Sequence, residues 1–89
     1  MPAISDKKKE KIIEQIMLYL YEIFPKASFT SHIAREIARD EEFIKDLLQD
    51  IEKKSIVISI KKNKHGKTFS RRIRWRLSNK AYQAYKERQ

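Results

Sequence analysis

The sequence predicts an α+β domain in which three helices precede a β-hairpin and a short helix closes the chain. Apolar residues first recur every three or four positions, which is the spacing of amphipathic helices. From residue 56 onward they alternate with polar residues on both sides of the single glycine, which is the pattern of a hairpin. A chain of 89 residues has the size of one small domain, and we expect residues 1–89 to form a single unit.

The first predicted helix carries a continuous apolar stripe and ends at Phe24. Pro25 disfavours the helical conformation in the residue before it. Ser5 or Asp6 is expected to cap the start of this helix. The basic segment at residues 1–9 is interpreted as a flexible arm that is either solvated or in contact with phosphate groups. The apolar stripe consists of Ile12, Ile13, Ile16, Met17, Leu20, Ile23 and Phe24.

Two further helices are predicted, with a tight connection between them. Phe29 is expected to insert into the core from a short strand, and Thr30 or Ser31 to cap the second helix. Asp40 is expected to cap the third helix, which ends near Ser55. The inward positions are Ile33, Ala34, Ile37 and Ala38 on the second helix, and Phe43, Ile44, Leu47, Leu48 and Ile51 on the third.

The register of the hairpin can be predicted from the alternation along its two strands. Residues that lie opposite each other in an antiparallel pair share a face of the sheet. A two-residue loop at His65-Gly66 suits the positive φ that such a turn requires. Trp75 then belongs to the core. The inward-facing pairs on this register are Ile58 with Ile73 and Ile56 with Trp75, and Ile60 and Leu77 share their face.

The positive charge is concentrated in the C-terminal third of the chain. The net charge of +9 divides into +1 for residues 1–28, −2 for residues 29–55 and +10 for residues 56–89. The hairpin carries eight basic residues and no acidic one. Such an asymmetry indicates a polyanionic partner that is contacted mainly through the hairpin.

Both the order of elements and two local stretches resemble the winged helix-turn-helix family. "FTSHIAREIARDEEFIKDLLQDIEKKSIV" is similar to the stretch in which an Ile-Ala pair, here Ile33-Ala34, precedes the recognition helix. "RIRWRLSNKAYQAY" is similar to the close of the wing. Ser55 and Ala81 stand where the family usually has glycine. The resemblance covers roughly residues 10–88, and it implies a DNA-binding domain such as a small archaeal-type transcriptional regulator.

The basic residues of the hairpin, or wing, are the first candidate contacts to DNA. Guanidinium forks match phosphate oxygens, and an alternating strand places them about 6.5 Å apart along one edge. The resemblance implies that the wing lies along the DNA backbone or minor groove. A solvated edge that only prevents strand aggregation needs fewer charges. The predicted contacts are Lys61, Lys64, Lys67, Arg71, Arg72, Arg74 and Arg76, of which Arg76 alternatively pairs with acids of the third helix.

The third helix carries the wrong charge for a conventional recognition helix. Glu41, Glu42 and Asp46 would approach phosphate groups, and each such approach is unfavourable. We therefore expect binding that is dominated by the wing and weakly sequence-specific, or an acidic helix that faces a protein partner. The remaining candidate contacts are Ser31 and His32 at the start of the second helix, and Lys45 and Gln49 on the third.

Two other functional classes remain open at this point. A winged helix can also dock on proteins, as a small subunit of a replication, transcription or ribosomal assembly. RNA binding is a third possibility, because phosphate contacts do not distinguish the sugar. The C-terminal helix, capped by Ser78 or Asn79, either packs on the first helix or forms a homodimer seam with it. The residues in question are Tyr19, Tyr82 and Tyr85.

Catalytic and cofactor-binding motifs are lacking. The sequence has no cysteine, its histidines His32 and His65 are far apart, and it has no glycine-rich loop. We therefore expect a non-enzymatic protein without cofactor or metal. The absence of cysteine and of a long apolar segment favours a cytoplasmic, nucleoid-associated protein. The richness in Ile, Lys and Glu is typical of thermophilic proteins.

Overall fold

The helices and strands follow the predicted α+β order. A computed structural model describes residues 6–61 and 73–88 of the chain. Within these ranges, no helix is both long and apolar enough to cross a membrane. The elements are α1 (Asp6–Ile23), β1 (Ser28–Phe29), α2 (Thr30–Ile37), α3 (Glu41–Lys53), β2 (Val57–Ile60), β3 (Arg74–Leu77) and α4 (Asn79–Glu87).

The first helix, α1, includes part of the basic N-terminal segment. It begins at Asp6, so that residues 6–9 are helical, whereas residues 1–5 lie outside the described part of the chain. The helix ends at Ile23, one residue earlier than predicted. The peptide bond between Phe24 and Pro25, just after the helix, is cis.

Side-chain caps begin α3 and α4 as the sequence predicts. The carboxylate of Asp40 accepts a hydrogen bond from the backbone N–H of Phe43 at 3.2 Å. The hydroxyl of Ser78 accepts one from the N–H of Ala81 at 3.1 Å. Each cap satisfies a backbone donor that the first turn of a helix leaves without a partner.

The predicted cap of α2 by Thr30 or Ser31 is wrong. Phe29 occupies the cap position, and its side chain makes no capping hydrogen bond. Thr30 lies inside the helix, and its buried hydroxyl accepts a hydrogen bond from the indole Nε1 of Trp75 at 2.8 Å. Because a buried indole N–H needs an acceptor, Thr30 satisfies the core tryptophan instead of the helix terminus.

Two non-glycine residues in the left-handed region end the helices of the helix-turn-helix. After α3, Ser55 has a φ of 63°. Its N–H donates to the carbonyl of Glu52 at 2.9 Å, and the N–H of Ile56 donates to that of Ile51 at 3.0 Å. This paired bonding is the Schellman arrangement, in which glycine is usual. The helix thus ends as the family pattern requires, with serine in the glycine position. Ala38, with a φ of 60°, ends α2 in the same way.

One core joins the three N-terminal helices to the inner face of the sheet. Trp75 lies at its centre and is fully buried, as predicted. The antiparallel sheet has the order β1-β3-β2, so that β3 is the central strand. The buried apolar residues are Ile12, Ile16, Leu20, Ile33, Ala34, Ile44, Leu47, Leu48, Ile51, Val57, Ile73, Trp75 and Leu77.

The predicted register of the hairpin is wrong for β2 and correct for the face of β3. Val57 lies opposite Leu77 and is 2% exposed, whereas Ile58 lies opposite Arg76 and is 38% exposed. The inward position opposite Trp75 is taken by Ser59. The predicted pairs of Ile58 with Ile73 and Ile56 with Trp75 are therefore absent from the described register, and the His65-Gly66 loop lies outside the described residues.

A hydrogen bond explains why a serine can replace an isoleucine on the inner face. The hydroxyl of Ser59 donates to a carboxylate oxygen of Glu52 near the end of α3. A half-buried hydroxyl with an acceptor carries little desolvation cost. The apolar pattern of β2 does not distinguish the two registers, because Val57 and Ile58 are both strongly apolar.

Candidate nucleic-acid interface

The described part of the chain contains three of the seven predicted wing contacts. Lys61 and Arg74 are exposed, and Arg76 is half-buried. The other four, Lys64, Lys67, Arg71 and Arg72, lie outside the described residues.

Arg74 projects from the outer face of β3 and is supported by an aromatic ring. Its guanidinium carbon lies 6.0 Å from the centre of the Phe29 ring, within range of a cation–π contact. The two residues are also register partners between β1 and β3. Phe29 is half-buried and faces this arginine, so that the prediction of a core position for Phe29 is wrong. Its neighbour Ser28, which is 6% exposed, takes the inner position.

Phe29 also contacts the first turn of α2. The ring of His32 packs edge-on against the Phe29 ring, with 5.5 Å between their centres. Ser31 and His32 are both exposed there. A single half-buried aromatic ring therefore contacts two predicted nucleic-acid contacts, Arg74 and His32, from two distant segments. We call Phe29, His32 and Arg74, together with the neighbouring exposed Ser31, the Phe29 cluster.

Lys61 is exposed and lies directly after the end of β2, close to this surface. Ile60 lies opposite Arg74 on β2, and Lys61 follows it. Since neighbouring strands are about 4.8 Å apart, the row from Phe29 through Arg74 to Ile60 spans about 10 Å. Phe29 and Arg74 therefore lie in one row on the outer face of the sheet, next to the start of α2, and Lys61 follows at the edge of this row.

Arg76 has a different environment from Arg74, although both side chains project from the same face of β3. Its guanidinium carbon lies 6.0 Å from the centre of the Phe24 ring. Its Nη1 donates to the carbonyl of Leu77 at 2.9 Å and is 3.5 Å from Oδ1 of Asn79. The contact with Asn79 joins β3 to the start of α4, and neither of these described hydrogen bonds is directed at the acids of α3.

The candidate base readers on α3 lie among carboxylates. Gln49 is exposed and lines a shallow depression together with Asp46 and Asp50. Lys45 is half-buried. Glu41 and Glu42 occupy the first turn, where they favour the helix through its dipole. The exposed side of α3 is therefore predominantly acidic and unfavourable for close contact with phosphate groups.

The tyrosines of the predicted dimer seam pack within the chain. The Tyr82 ring stacks on Phe24 and Tyr21, with centre distances of 3.9 and 5.1 Å. Tyr85 lies 4.8 Å from Tyr21. The hydroxyl of Tyr19 lies 3.2 Å from that of Ser28. These contacts fasten α4 and β1 to α1 within the chain.

The comparisons with known proteins define the class of fold. No family model matches the sequence, and no curated protein matches it significantly. Solved structures do match. A mutant of ZitR from Lactococcus lactis superposes with a TM-score of 0.68 at 20% identity, over 99% of this chain and 56% of that one.

Two further structures agree with this match. MepR from S. aureus, solved in a DNA complex, has a TM-score of 0.65 at 22% identity, over 92% of this chain and 69% of that one. ZitR, described as a zinc-responsive MarR family member, gives 0.60 at 17% identity over 99% and 54%. The chain spans little more than half the length of the ZitR chains. It has the winged helix-turn-helix fold that its sequence predicts.

Within residues 6–61 and 73–88, no three His, Cys, Asp or Glu side chains are grouped so as to hold a metal ion.

Proposed function

We propose that the protein binds double-stranded DNA and acts as a small transcriptional regulator or chromatin-like factor. The observation that carries this proposal is Arg74, an exposed cation supported by Phe29 beside the first turn of α2. The +10 charge of residues 56–89 supports it, since a polyanion is the matching partner. The likeness to MepR, which was solved with DNA, supports it further.

The Phe29 cluster has the chemistry of a phosphate contact. A guanidinium donates charge-assisted hydrogen bonds to phosphate oxygens. The start of α2 lacks a side-chain cap, and its dipole favours an anion at this end. Arg74, Lys61 and the first turn of α2 together would hold the DNA backbone, and the remaining basic residues of the wing would extend the contact. Phosphate contacts fix position without reading sequence.

Sequence preference is expected to be weak because of the acids on α3. Gln49 lies beside Asp46 and Asp50, so a base contact by Gln49 would bring carboxylates towards the backbone. A protein with a basic surface is the second candidate partner of the exposed side of α3. The depression lined by Asp46, Gln49 and Asp50 favours such a partner because it is acidic.

Other properties follow from the proposed role. A DNA-binding regulator of this kind acts in the cytoplasm, at the nucleoid, without catalysis or a cofactor. Homodimerisation through α1 and α4 would suit a two-fold operator. Leu18, on α1, is 45% exposed and offers apolar surface for such a contact.

The two arginines of β3 provide a matched test. Duplex binding is measured by fluorescence anisotropy as salt is raised, for the wild type, Arg74→Gln and Arg76→Gln. Removal of one phosphate contact lowers the slope of log K against log salt by about 0.9. We expect this reduction for Arg74→Gln. Arg76→Gln should lower stability and leave the slope nearly unchanged, since Arg76 binds Leu77 and Asn79 within the chain. A wild type without salt-dependent duplex binding would refute the proposed function.

A further inference from the structure

A second basic surface lies away from the wing, where α1 meets the turn between α2 and α3. Lys8, Lys11, Ile12 and Gln15 follow the i, i+3, i+4, i+7 spacing and share one side of α1. Together with Arg39 from the turn, they line a cavity of about 410 Å³. Three cations and an amide thus surround an apolar floor formed by Ile12, which is 3% exposed. Among the residues that the structure describes, the lining includes no acidic side chain.

The backbone fixes Arg39 at this position. Ala38 has a φ of 60° and reverses the chain after α2. The N–H of Arg39 donates to the carbonyl of Ala34 at 3.0 Å, which closes the turn. The turn therefore directs a cation towards the side of α1 that already carries Lys8 and Lys11.

The lysines near the start of α1 are unfavourable for the stability of that helix. Lys8 lies in the first turn and Lys11 in the second, near the positive end of the helix dipole, where cations are disfavoured. The dipole and the lysines attract an anion to the same place. The described lining of this cavity includes no residue of β2 or β3, the two strands of the wing.

We propose that Lys8, Lys11 and Arg39 form a second phosphate-binding surface that contacts the nucleic-acid backbone at a point separate from the wing. This inference rests on the proposed DNA binding. Lysine and arginine donate charge-assisted hydrogen bonds to phosphate oxygens. The surface adds positive charge beside the acidic first turn of α3. The carboxylates of this turn would repel the phosphates of a duplex that the wing alone held.

The test compares two triple variants that remove the same charges. The first is Lys8→Gln/Lys11→Gln/Arg39→Gln. The control is Lys80→Gln/Lys86→Gln/Arg88→Gln, which changes exposed residues of α4 and the residue that follows it. Both lower the net charge from +9 to +6, which is 9 minus 3. Any difference between them reports the position of the charge and not its amount. Circular dichroism melts establish that each variant is folded.

The salt dependence of duplex binding is then measured for the three proteins. Three lost phosphate contacts lower the slope of log K against log salt by about 2.7. Between 50 and 200 mM salt, wild-type affinity should therefore fall about 40-fold more than that of the first variant. The control should stay close to the wild type. Equal slopes for the two triple variants would overturn the second surface while the wild type still binds DNA. A wild type that does not bind would instead overturn the proposed function.

A pair of double variants replaces the triple variants where folding requires it. If the triple variant fails to fold, Lys11→Gln/Arg39→Gln is compared with Lys86→Gln/Arg88→Gln, and the expected slope reduction is about 1.8.

The source of the phosphate is tested with inorganic phosphate, titrated against chloride at matched ionic strength and followed by the amide signal of Arg39. We expect the same signal in both salts. A saturable, phosphate-specific shift that the triple variant lacks would assign the surface to a free anion and overturn the backbone contact.

Discussion

Replacement of Phe29 by leucine should weaken DNA binding even though it removes no charge. The Phe29 ring lies 6.0 Å from the guanidinium carbon of Arg74 and 5.5 Å from the centre of the His32 ring. Leucine keeps most of the half-buried apolar volume but has no π-face. Arg74 then loses the contact that holds it in place, and it must give up more side-chain freedom when it binds a phosphate.

The expected magnitude follows from the geometry of this contact. A cation–π pair at an exposed site contributes about 0.5–1 kcal/mol. If the cation–π contact serves to position Arg74 for binding, its loss weakens the complex by this energy. The dissociation constant of the duplex then rises about 2- to 5-fold. The smaller apolar area of leucine also lowers the free energy of unfolding, but that loss is shared by the free and the bound protein.

A double-mutant cycle separates this effect from general destabilisation. Anisotropy titrations of a labelled duplex are compared for the wild type, Phe29→Leu, Arg74→Gln and the double variant. Phe29→Leu should weaken binding when Arg74 is present and have almost no effect in the Arg74→Gln background. The control is Phe24→Leu, which removes the equivalent ring from beneath Arg76. It should lower stability without changing the affinity.

Two results would refute this reasoning. An equal loss of affinity in both backgrounds would show that Phe29 acts independently of Arg74. An equal loss in Phe24→Leu and Phe29→Leu would show that reduced stability of the domain, and not the position of one arginine, weakens binding.

Two predictions concern the fold and are checked by urea unfolding. Val57→Thr should lower the free energy of unfolding by about 1–3 kcal/mol, because Val57 is 2% exposed and the new hydroxyl would be buried among apolar side chains. Ile58→Thr, at a position 38% exposed, should cost less, and the reverse order would restore the register in which Ile58 faces the core. Ser55→Gly should raise stability by about 0.5–1 kcal/mol, since it relieves the left-handed strain at a φ of 63° and adds only part of that cost in chain entropy. Ser55→Ala, which keeps a Cβ, should give no such gain, and a gain there would contradict the argument.

The sequence predicts the order of the elements because helix and strand periods differ strongly along this chain. It predicts the face of β3 for the same reason, since Arg74 and Arg76 alternate with Trp75 and Leu77. The face of β2 could not be predicted from periodicity, because four apolar residues stand among five between positions 56 and 60. That choice is made by the bond between Ser59 and Glu52, a contact across two elements that no local pattern contains.

The candidate site shows the same limit. Arg74 and His32 are recognisable as exposed polar residues, but nothing in their spacing shows that they meet at Phe29. They meet because β1 adds to the sheet and places Phe29 opposite Arg74. The sequence offers one signal that could have revealed this. Successive side chains of a strand point to opposite faces of the sheet, so either Ser28 or Phe29 had to face outward.

The acids of α3 have a consequence for how the salt dependence is interpreted. Glu41 and Glu42 stabilise the first turn of their helix, so folding alone accounts for their presence. A duplex held by Arg74 and by the Arg39 surface would nevertheless bring phosphates towards them. Salt would then weaken the basic contacts and screen this repulsion at the same time, since both act over a Debye length of about 10 Å at 0.1 M. The wild-type slope therefore underestimates the number of phosphate contacts. Differences between variants of equal net charge largely cancel the repulsion, which is why they locate the contacts more reliably than the slope itself.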